Sequence, residues 1–377
     1  MRTRRGFIGT AAAMVAKAAQ SPGASSALAL GIIGTGRRGR YVGAMFGRDD
    51  RVHIAALSDL YDDQLEAAKA EIPGAASARV YRDYREMLAS PAIDAVYIAT
   101  PPWLHPDHFE AAVDARKHIY SEKPAAAGVE GVARVARAGS RADASKHIVF
   151  GLQRRFAPHY RTAHEIVQSG RLGPLLYMKS NWVSWGVLAQ PFTPDPKLSA
   201  EDRRMKYWPH FKETSGDFIV EQDCHGMDVL NWFAGAHPLR ASAKSGRGRR
   251  QYGDNSDWFH VSYEYPNGLT GLLVGTQLSQ QRFSDVKEQF MGLDGTLETH
   301  LNYYRLHQGP GKLQQVDAKY DVTQDAVREF VDQIVAGRPG NTTAIACEAT
   351  YTALLGRIAA ETGRVVTWEE ILGSGAS

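Results

Sequence analysis

The stretch ALALGIIGTGRRG, residues 27–39, constrains the fold more than any other part of the chain. A short apolar run feeds straight into Gly34-x-Gly36-x-x-Gly39. Such a run, ended by a glycine turn, reads as a buried parallel strand, with a helix starting over residues 40–46. Gly34 then permits the bend, Gly36 lets the backbone approach a pyrophosphate, and Gly39 lets the helix pack on the strand. Thr35, Arg37 and Arg38 belong to the same cofactor loop. The helix N-terminus offers free N–H groups and partial positive charge to the phosphates. A second apolar run, 51–57, leads to Asp59, twenty residues beyond Gly39. A carboxylate at that interval accepts from adenosine ribose hydroxyls and repels a 2′-phosphate, which favours NAD. Arg37 and Arg38 keep NADP open, because a guanidinium can hold that phosphate.

The pattern continues as α/β. Strand signals at 95–99, 117–120 and 147–150 alternate with helical stretches at 84–89, 106–115 and 129–142. Such alternation over 28–150 implies a parallel sheet with right-handed crossovers, a Rossmann dinucleotide-binding domain. Thr100 and Pro101 open a loop at the carboxyl end of the third strand, the edge where doubly wound sheets bind ligands. His105 follows, read as a loop histidine touching the nicotinamide ribose.

Composition changes after Gly151. A helix over 160–169 and a strand over 175–183 precede hairpin signals at Pro266-Asn267-Gly268 and Asp294-Gly295. Strands joined by short turns imply an antiparallel sheet over 151–377, closed by helices at 325–336 and 344–362. Residues 190–204 are polar with three prolines and read as a loop over the site. Trp182, Trp185, Tyr207, Trp208 and His210 surround it, as a platform for sugar C–H faces or as ordinary packing.

The first 27 residues stand apart. Thr3-Arg4-Arg5-Gly6-Phe7-Ile8, an alanine-rich stretch interrupted by Lys17, and Ser25-Ser26-Ala27 form a twin-arginine export pattern with a small-residue cleavage site. The expected location is periplasmic, with a tightly held cofactor that travels with the folded protein. No run is apolar enough to span a bilayer. A net charge of +3 from dispersed basic residues gives no nucleic-acid footprint. The basic cluster at 247–250 reads as a solvated loop. Two cysteines are too few for a disulfide framework.

Several segments coincide with one family. The glycine turn, Ala99-Thr100-Pro101, Glu122-Lys123-Pro124, Gln153-Arg154-Arg155-Phe156 and GDFIVEQDCHGMDVLNW (216–232) resemble the Gfo/Idh/MocA family. The resemblance covers nearly all of 28–372. It implies a Rossmann domain followed by an α+β domain with an open, mainly antiparallel sheet, often used for homo-oligomer contact. It also implies NAD(P)-dependent chemistry on sugars and cyclitols, with Glu122, Lys123 and Gln153 among the cofactor-binding residues. The family motif has Asp four residues before His. Here His225 matches, and the acid is Glu221. Glu and His at i, i+4 share one helix face and can converge. Asp223 is an extra acid of the other parity.

Lys123, His225 and Glu221 are therefore the catalytic candidates. Desolvation is expected to lower the pKa of Lys123 so that it exchanges protons near neutrality. Glu-x-Asp-x-His lacks a second histidine at ligand spacing, so no metal is expected. The expected activity is hydride removal from a secondary hydroxyl of a sugar or glycoside. Two other readings stay open. One is redox-neutral, NAD-dependent glycoside cleavage, against which Lys123 counts. The other is a sugar- and nucleotide-binding protein without turnover.

Overall fold

The structure, a computed structural model, describes residues 27–186 and 193–374. The twin-arginine segment before residue 27 and residues 187–192, which include the start of the proline-rich stretch, lie outside the described residues.

Six strands form the first sheet: β1 (Leu28–Ile33), β2 (Val52–Ser58), β3 (Arg79–Tyr81), β4 (Ala95–Ile98), β5 (His118–Ser121) and β6 (Ile148–Phe150). All are parallel, in the order β3-β2-β1-β4-β5-β6. The direction of winding reverses at β1, so its carboxyl end opens into a crevice, the place where such sheets hold ligands. Helix Arg37–Phe46 covers β1 because Gly39, Val42, Gly43 and Phe46 recur on one helical face and are buried.

The second sheet has nine strands: β7 (Leu175–Val183), β8 (Arg240–Gly246), β9 (Trp258–Glu264), β10 (Thr270–Thr276), β11 (Asp285–Gly292), β12 (Thr296–His300), β13 (Tyr303–His307), β14 (Leu313–Asp317) and β15 (Val366–Thr367). Their order is β14-β13-β12-β11-β7-β10-β9-β8-β15. Only the β7–β10 pair is parallel. Burial alternates along β10: Gly271, Leu273 and Gly275 are inside, with Leu272 and Val274 half-exposed opposite. Helices Pro158–Gln168, Cys224–Ala234 and Thr343–Thr362 pack on the inner face. The other face carries no helix among the described residues, and on it Glu298 gathers Gln289 at 3.1 Å, Tyr303 at 3.1 Å and Lys287 at 3.3 Å.

The chain does not part cleanly at residue 150. Helix Val322–Val335 returns to the first sheet, where Ala326, Val327, Phe330 and Val331 join Leu30, Ile32, Phe46, Tyr97 and Tyr120 in one apolar cluster. Phe330 stands edge-on to Tyr120, with centroids 5.6 Å apart. Helix Thr343–Thr362 touches helices of both layers and is buried along most of its length. These two helices join the sheets and hold the cleft between them in one geometry. No helix among the described residues is long and apolar enough to cross a membrane.

Candidate active site

The glycine turn is built as its spacing demands. Gly34 has φ +87°, and a Cβ there would stand 2.8 Å from the Ala99 carbonyl. A Cβ on Gly39 would fall 2.1 Å from the Gly34 oxygen, so only glycine lets this helix approach β1. Gly36 faces open space and is the N-cap of helix Arg37–Phe46, with no side-chain cap and no acid in the first turn. The first N–H groups of that helix are therefore free for an anion, which fits the pyrophosphate of a dinucleotide.

Neighbouring residues divide. Gly34, Gly36, Arg37, Arg38, Asp59, Thr100, Pro101, Glu122, Lys123 and Gln153 all line one cleft of about 1960 Å³. That exceeds the few hundred to about 1,000 Å³ of an ordinary small-molecule pocket and leaves room for a dinucleotide and a substrate together. Thr35 is corrected: it is fully buried, and both its N–H (2.7 Å) and its hydroxyl (3.0 Å) donate to Asp59 Oδ2. It braces the turn against the end of β2 and turns no donor to the cleft. Arg38 is tied down rather than free: its Nε donates to Glu122 Oε1 at 2.8 Å, while its side chain stays on the cleft it lines. Arg37 stays exposed at the rim. Asp59 takes the Thr35 donors on one oxygen and the Tyr61 N–H on the other at 3.1 Å, and keeps lone pairs for the ribose.

His105 is corrected as a cofactor contact. It is 1% exposed, with Nδ1 2.7 Å from the Pro124 carbonyl and Nε2 2.8 Å from the Thr100 carbonyl. It ties the loop after β4 to the loop after β5 from behind. Burial lowers its pKa, against the pull of those two carbonyls.

β5 ends at Ser121 and delivers Glu122 and Lys123 to the cleft floor. Glu122 is 4% exposed and also accepts from the Tyr97 hydroxyl at 3.0 Å. Its carboxylate is thus a fixed strut for Arg38. The Lys123 ammonium lies 3.0 Å from Glu221 Oε1 and also donates to the Glu221 carbonyl. His225 lies in the same cleft. Its Nδ1 is buried without a partner, which leaves Nε2 as the nitrogen for the cleft. The Trp182 ring stacks on it, centroids 6.0 Å apart and 12° from parallel.

The expected shared helix face does not exist. Glu221 closes the short helix Phe218–Glu221, and His225 lies in the first turn of the next, Cys224–Ala234. Gly216 (φ +82°) and Asp217 (φ +67°) turn the chain sharply into the first helix. The Asp217 carboxylate caps it, accepting from Phe218 N–H at 2.7 Å and Ser256 N–H at 3.0 Å. The chain changes axis at Gln222, so Glu221 meets Lys123 and not the imidazole. Asp223 is fully buried with neither oxygen hydrogen-bonded, and burial, then the carboxylates of Glu221 and Asp217, push its pKa well above the usual value. Its carboxyl packs against β10, where a Cβ on Gly275 would stand 2.2 Å from Oδ2.

Lys123 also departs from expectation. Burial pulls its pKa down, but Glu221, Cys224 and Glu122 outweigh that, and the net shift is upward from 10.5. Lys123 stays an ammonium. His225 is driven well below 6.5 by burial, then by Lys123, Arg154 and Arg38, and is neutral. A step that needs neutral His225 and charged Lys123 keeps both forms as pH falls through 6.5 and as it rises toward 10.5. We expect kcat/KM for turnover that uses this pair to show no acid limb near 6.5. A limb there in a pH–rate profile would contradict the insulation of the imidazole.

Sequence reasoning missed Arg154 and Glu288. Arg154 is 2% exposed, lies 2.5 Å from Glu288 Oε1, and sits 5.5 Å from the Trp182 ring centroid. Glu288 also accepts from Thr299 at 2.8 Å and Tyr160 at 3.1 Å. Arg154, Trp182 and His225 thus form a stacked shelf, and only the QRRF segment hinted at it. The aromatic belt splits. Trp182, Trp185 and Trp208 line the cleft, whereas Tyr207 and His210 pack against Tyr252. The stretch read as a loop contains helix Ala200–Lys206. It straps onto the first domain: Tyr61 donates to Asp202 at 3.1 Å, and Arg204 lies 4.1 Å from the Trp103 ring centroid.

Residues 28–148 match the oxidoreductase family GFO_IDH_MocA, described as an NAD-binding Rossmann fold, and residues 160–298 match the GFO/IDH/MocA C-terminal domain. The chain belongs to the Gfo/Idh/MocA oxidoreductase family. Residues 28–148 are the NAD-binding domain of that family, as the glycine turn requires. Among curated proteins it is 28% identical over 219 residues to 1-carboxy-3-chloro-3,4-dihydroxycyclo hexa-1,5-diene dehydrogenase of Comamonas testosteroni, covering 58% of this chain and 50% of that protein. It is 26% identical over 221 residues to inositol 2-dehydrogenase of Corynebacterium glutamicum, covering 58% of each. The chain thus spans about half the length of these curated relatives. Among solved structures, levoglucosan dehydrogenase in complex with NADH and levoglucosan superposes with a TM-score of 0.77 at 18% identity, over 90% of this chain and 99% of that one. At that identity the likeness shows the fold.

Proposed function

We propose that this Gfo/Idh/MocA protein is an NAD-dependent dehydrogenase that oxidises a secondary hydroxyl of a sugar, glycoside or cyclitol. One observation carries the reading: the Lys123–Glu221 pair, neutral His225 and an uncapped helix N-terminus open into a single cleft. The relative named as an inositol 2-dehydrogenase supports the substrate class.

The nicotinamide, when bound, accepts the hydride. The remaining chemistry belongs to this chain. His225 Nε2 takes the hydroxyl proton, which a neutral imidazole can do. The Lys123 ammonium donates to the same oxygen and stabilises the negative charge that develops on it. Glu221 anchors that ammonium and has lone pairs for a neighbouring hydroxyl. Trp182, Trp185 and Trp208 offer apolar faces to sugar C–H groups. NAD is the cofactor of choice, since Asp59 lies in the cleft and Arg38 is engaged with Glu122.

The test is mass spectrometry of nucleotide released from native protein, then a panel of sugars and cyclitols scored for appearance of reduced nicotinamide. NAD with oxidation of at least one panel member is expected. No nucleotide and no absorbance change with any would sink the reading.

We further propose that residues 1–27 direct twin-arginine export and that the open face of the nine-stranded sheet pairs with a second copy. Arg4→Lys with Arg5→Lys should abolish export in a fractionation assay. A monomer by light scattering would exclude the pairing.

A further inference from the structure

Resting on the dehydrogenase reading, we propose that Gln222 is a substrate-recognition residue whose side-chain amide is locked as a hydrogen-bond donor toward the cleft. The lock is a chain of buried polar groups behind it. The basic turn at 247–250, expected to be solvated, instead wraps an acid. Asp257 is fully buried, and its Oδ2 accepts the backbone N–H groups of Gly248 (2.6 Å), Arg249 (2.6 Å) and Arg250 (3.2 Å). This holds the Arg250 side chain inward, 1% exposed, where Nε donates to the Ser256 carbonyl at 2.9 Å. Its Nη2 donates to Gln277 Oε1.

A guanidinium can only donate, so the oxygen of Gln277 must be the atom that faces it. The Gln277 amide nitrogen then points the other way, 2.6 Å from Gln222 Oε1. That contact needs an acceptor on Gln222, which is its oxygen. The Gln222 NH2 group is left for the cleft, which Gln222 lines. Among the described residues no acceptor engages it. Gln277 cannot swing to reverse the order. It is fully buried, and a Cβ placed on Gly186 would stand 2.4 Å from its Cβ.

The donor follows directly on Glu221, the partner of Lys123, and precedes His225 by three residues. It therefore reads the part of the substrate next to the reacting carbon. An oxygen acceptor there, whether hydroxyl, ring oxygen or carboxylate, satisfies it. A group that can only donate, such as the ammonium of an amino sugar, meets donor with donor and is rejected.

Two substitutions separate this polarity from mere packing. In Gln222→Glu one carboxylate oxygen still accepts from Gln277, and the other presents an acceptor to the cleft. In Gln277→Glu one oxygen keeps Arg250, and the other now needs a donor. Gln222 must flip and show its oxygen to the cleft, although residue 277 touches no substrate. With the aldose or uronic acid that wild type oxidises fastest, both variants should raise KM roughly 10–100-fold and change kcat less, and a wild type that prefers the 2-amino sugar overturns the proposal. Both should also move preference toward the amino sugar. KM within about twofold of wild type for Gln222→Glu overturns the proposal. So does an effect of Gln222→Glu that Gln277→Glu, folded by its melting curve, does not reproduce.

If wild type oxidises no sugar of the panel, the dehydrogenase reading fails separately. Calorimetric binding of the same sugars to the same three proteins then decides. Binding that both variants weaken supports the locked donor, and equal binding or none overturns it.

Discussion

Replacing Lys123 by alanine is expected to cut sugar oxidation by about 10³-fold while nucleotide affinity changes little. The ammonium is, among the described residues, the positive charge paired with Glu221 on the cleft floor, 3.0 Å from its carboxylate. Without it the oxygen that loses a proton has no cation to hold its growing charge. The pyrophosphate contacts belong to a different element, the N-terminus of helix Arg37–Phe46, and survive. Lys123→Arg should not rescue, since a planar fork does not replace a compact ammonium between Glu221 and the substrate. Steady-state turnover and nucleotide titration of the same sample check both halves. Turnover within tenfold of wild type would remove Lys123 from the mechanism.

Glu288→Ala should lower stability by about 3–5 kcal/mol, because it strands the Arg154 guanidinium in a dry interior. Three donors converge on that carboxylate, from Arg154, Tyr160 and Thr299. The damage reaches the site through the shelf: Arg154 lies under Trp182, and Trp182 stacks on His225. A double substitution, Arg154→Met with Glu288→Leu, removes both charges and should recover most of the lost stability. Denaturant unfolding of the three variants measures this. Equal stability of Glu288→Ala and wild type would show that the pair does not hold the shelf.

Most of the Rossmann half was legible because its signals are local. Gly39 answers to the Gly34 carbonyl five residues back, and the apolar runs of β1, β2 and β4 lie where their composition placed them. The turn at Pro266-Asn267-Gly268 was legible for the same reason, with Asn267 and Gly268 both at positive φ. The short strands β3, β13 and β14 were missed: β3 has three residues, and β14 is exposed throughout, so neither carries a burial pattern. Four departures have long-range causes. His105 is taken by carbonyls of two loops, Thr35 by an acid at the end of another strand, and Arg38 by Glu122. The charge of Lys123 is decided by Glu221, 98 positions away. Spacing along one helix could not show that the chain bends between Glu221 and His225. Helix Val322–Val335 reads as amphipathic, yet nothing local says that its apolar face lies on the first sheet.

The central claim is that hydride passes from a carbinol carbon of the substrate to a nicotinamide held in this cleft. The direct measurement uses a sugar from the oxidised set with deuterium on the reacting carbon, followed by mass spectrometry of the nucleotide. The account predicts one deuterium in the reduced nucleotide from wild type and essentially none from Lys123→Ala over the same time. A sugar consumed by wild type with no deuterium reaching the nucleotide would contradict it.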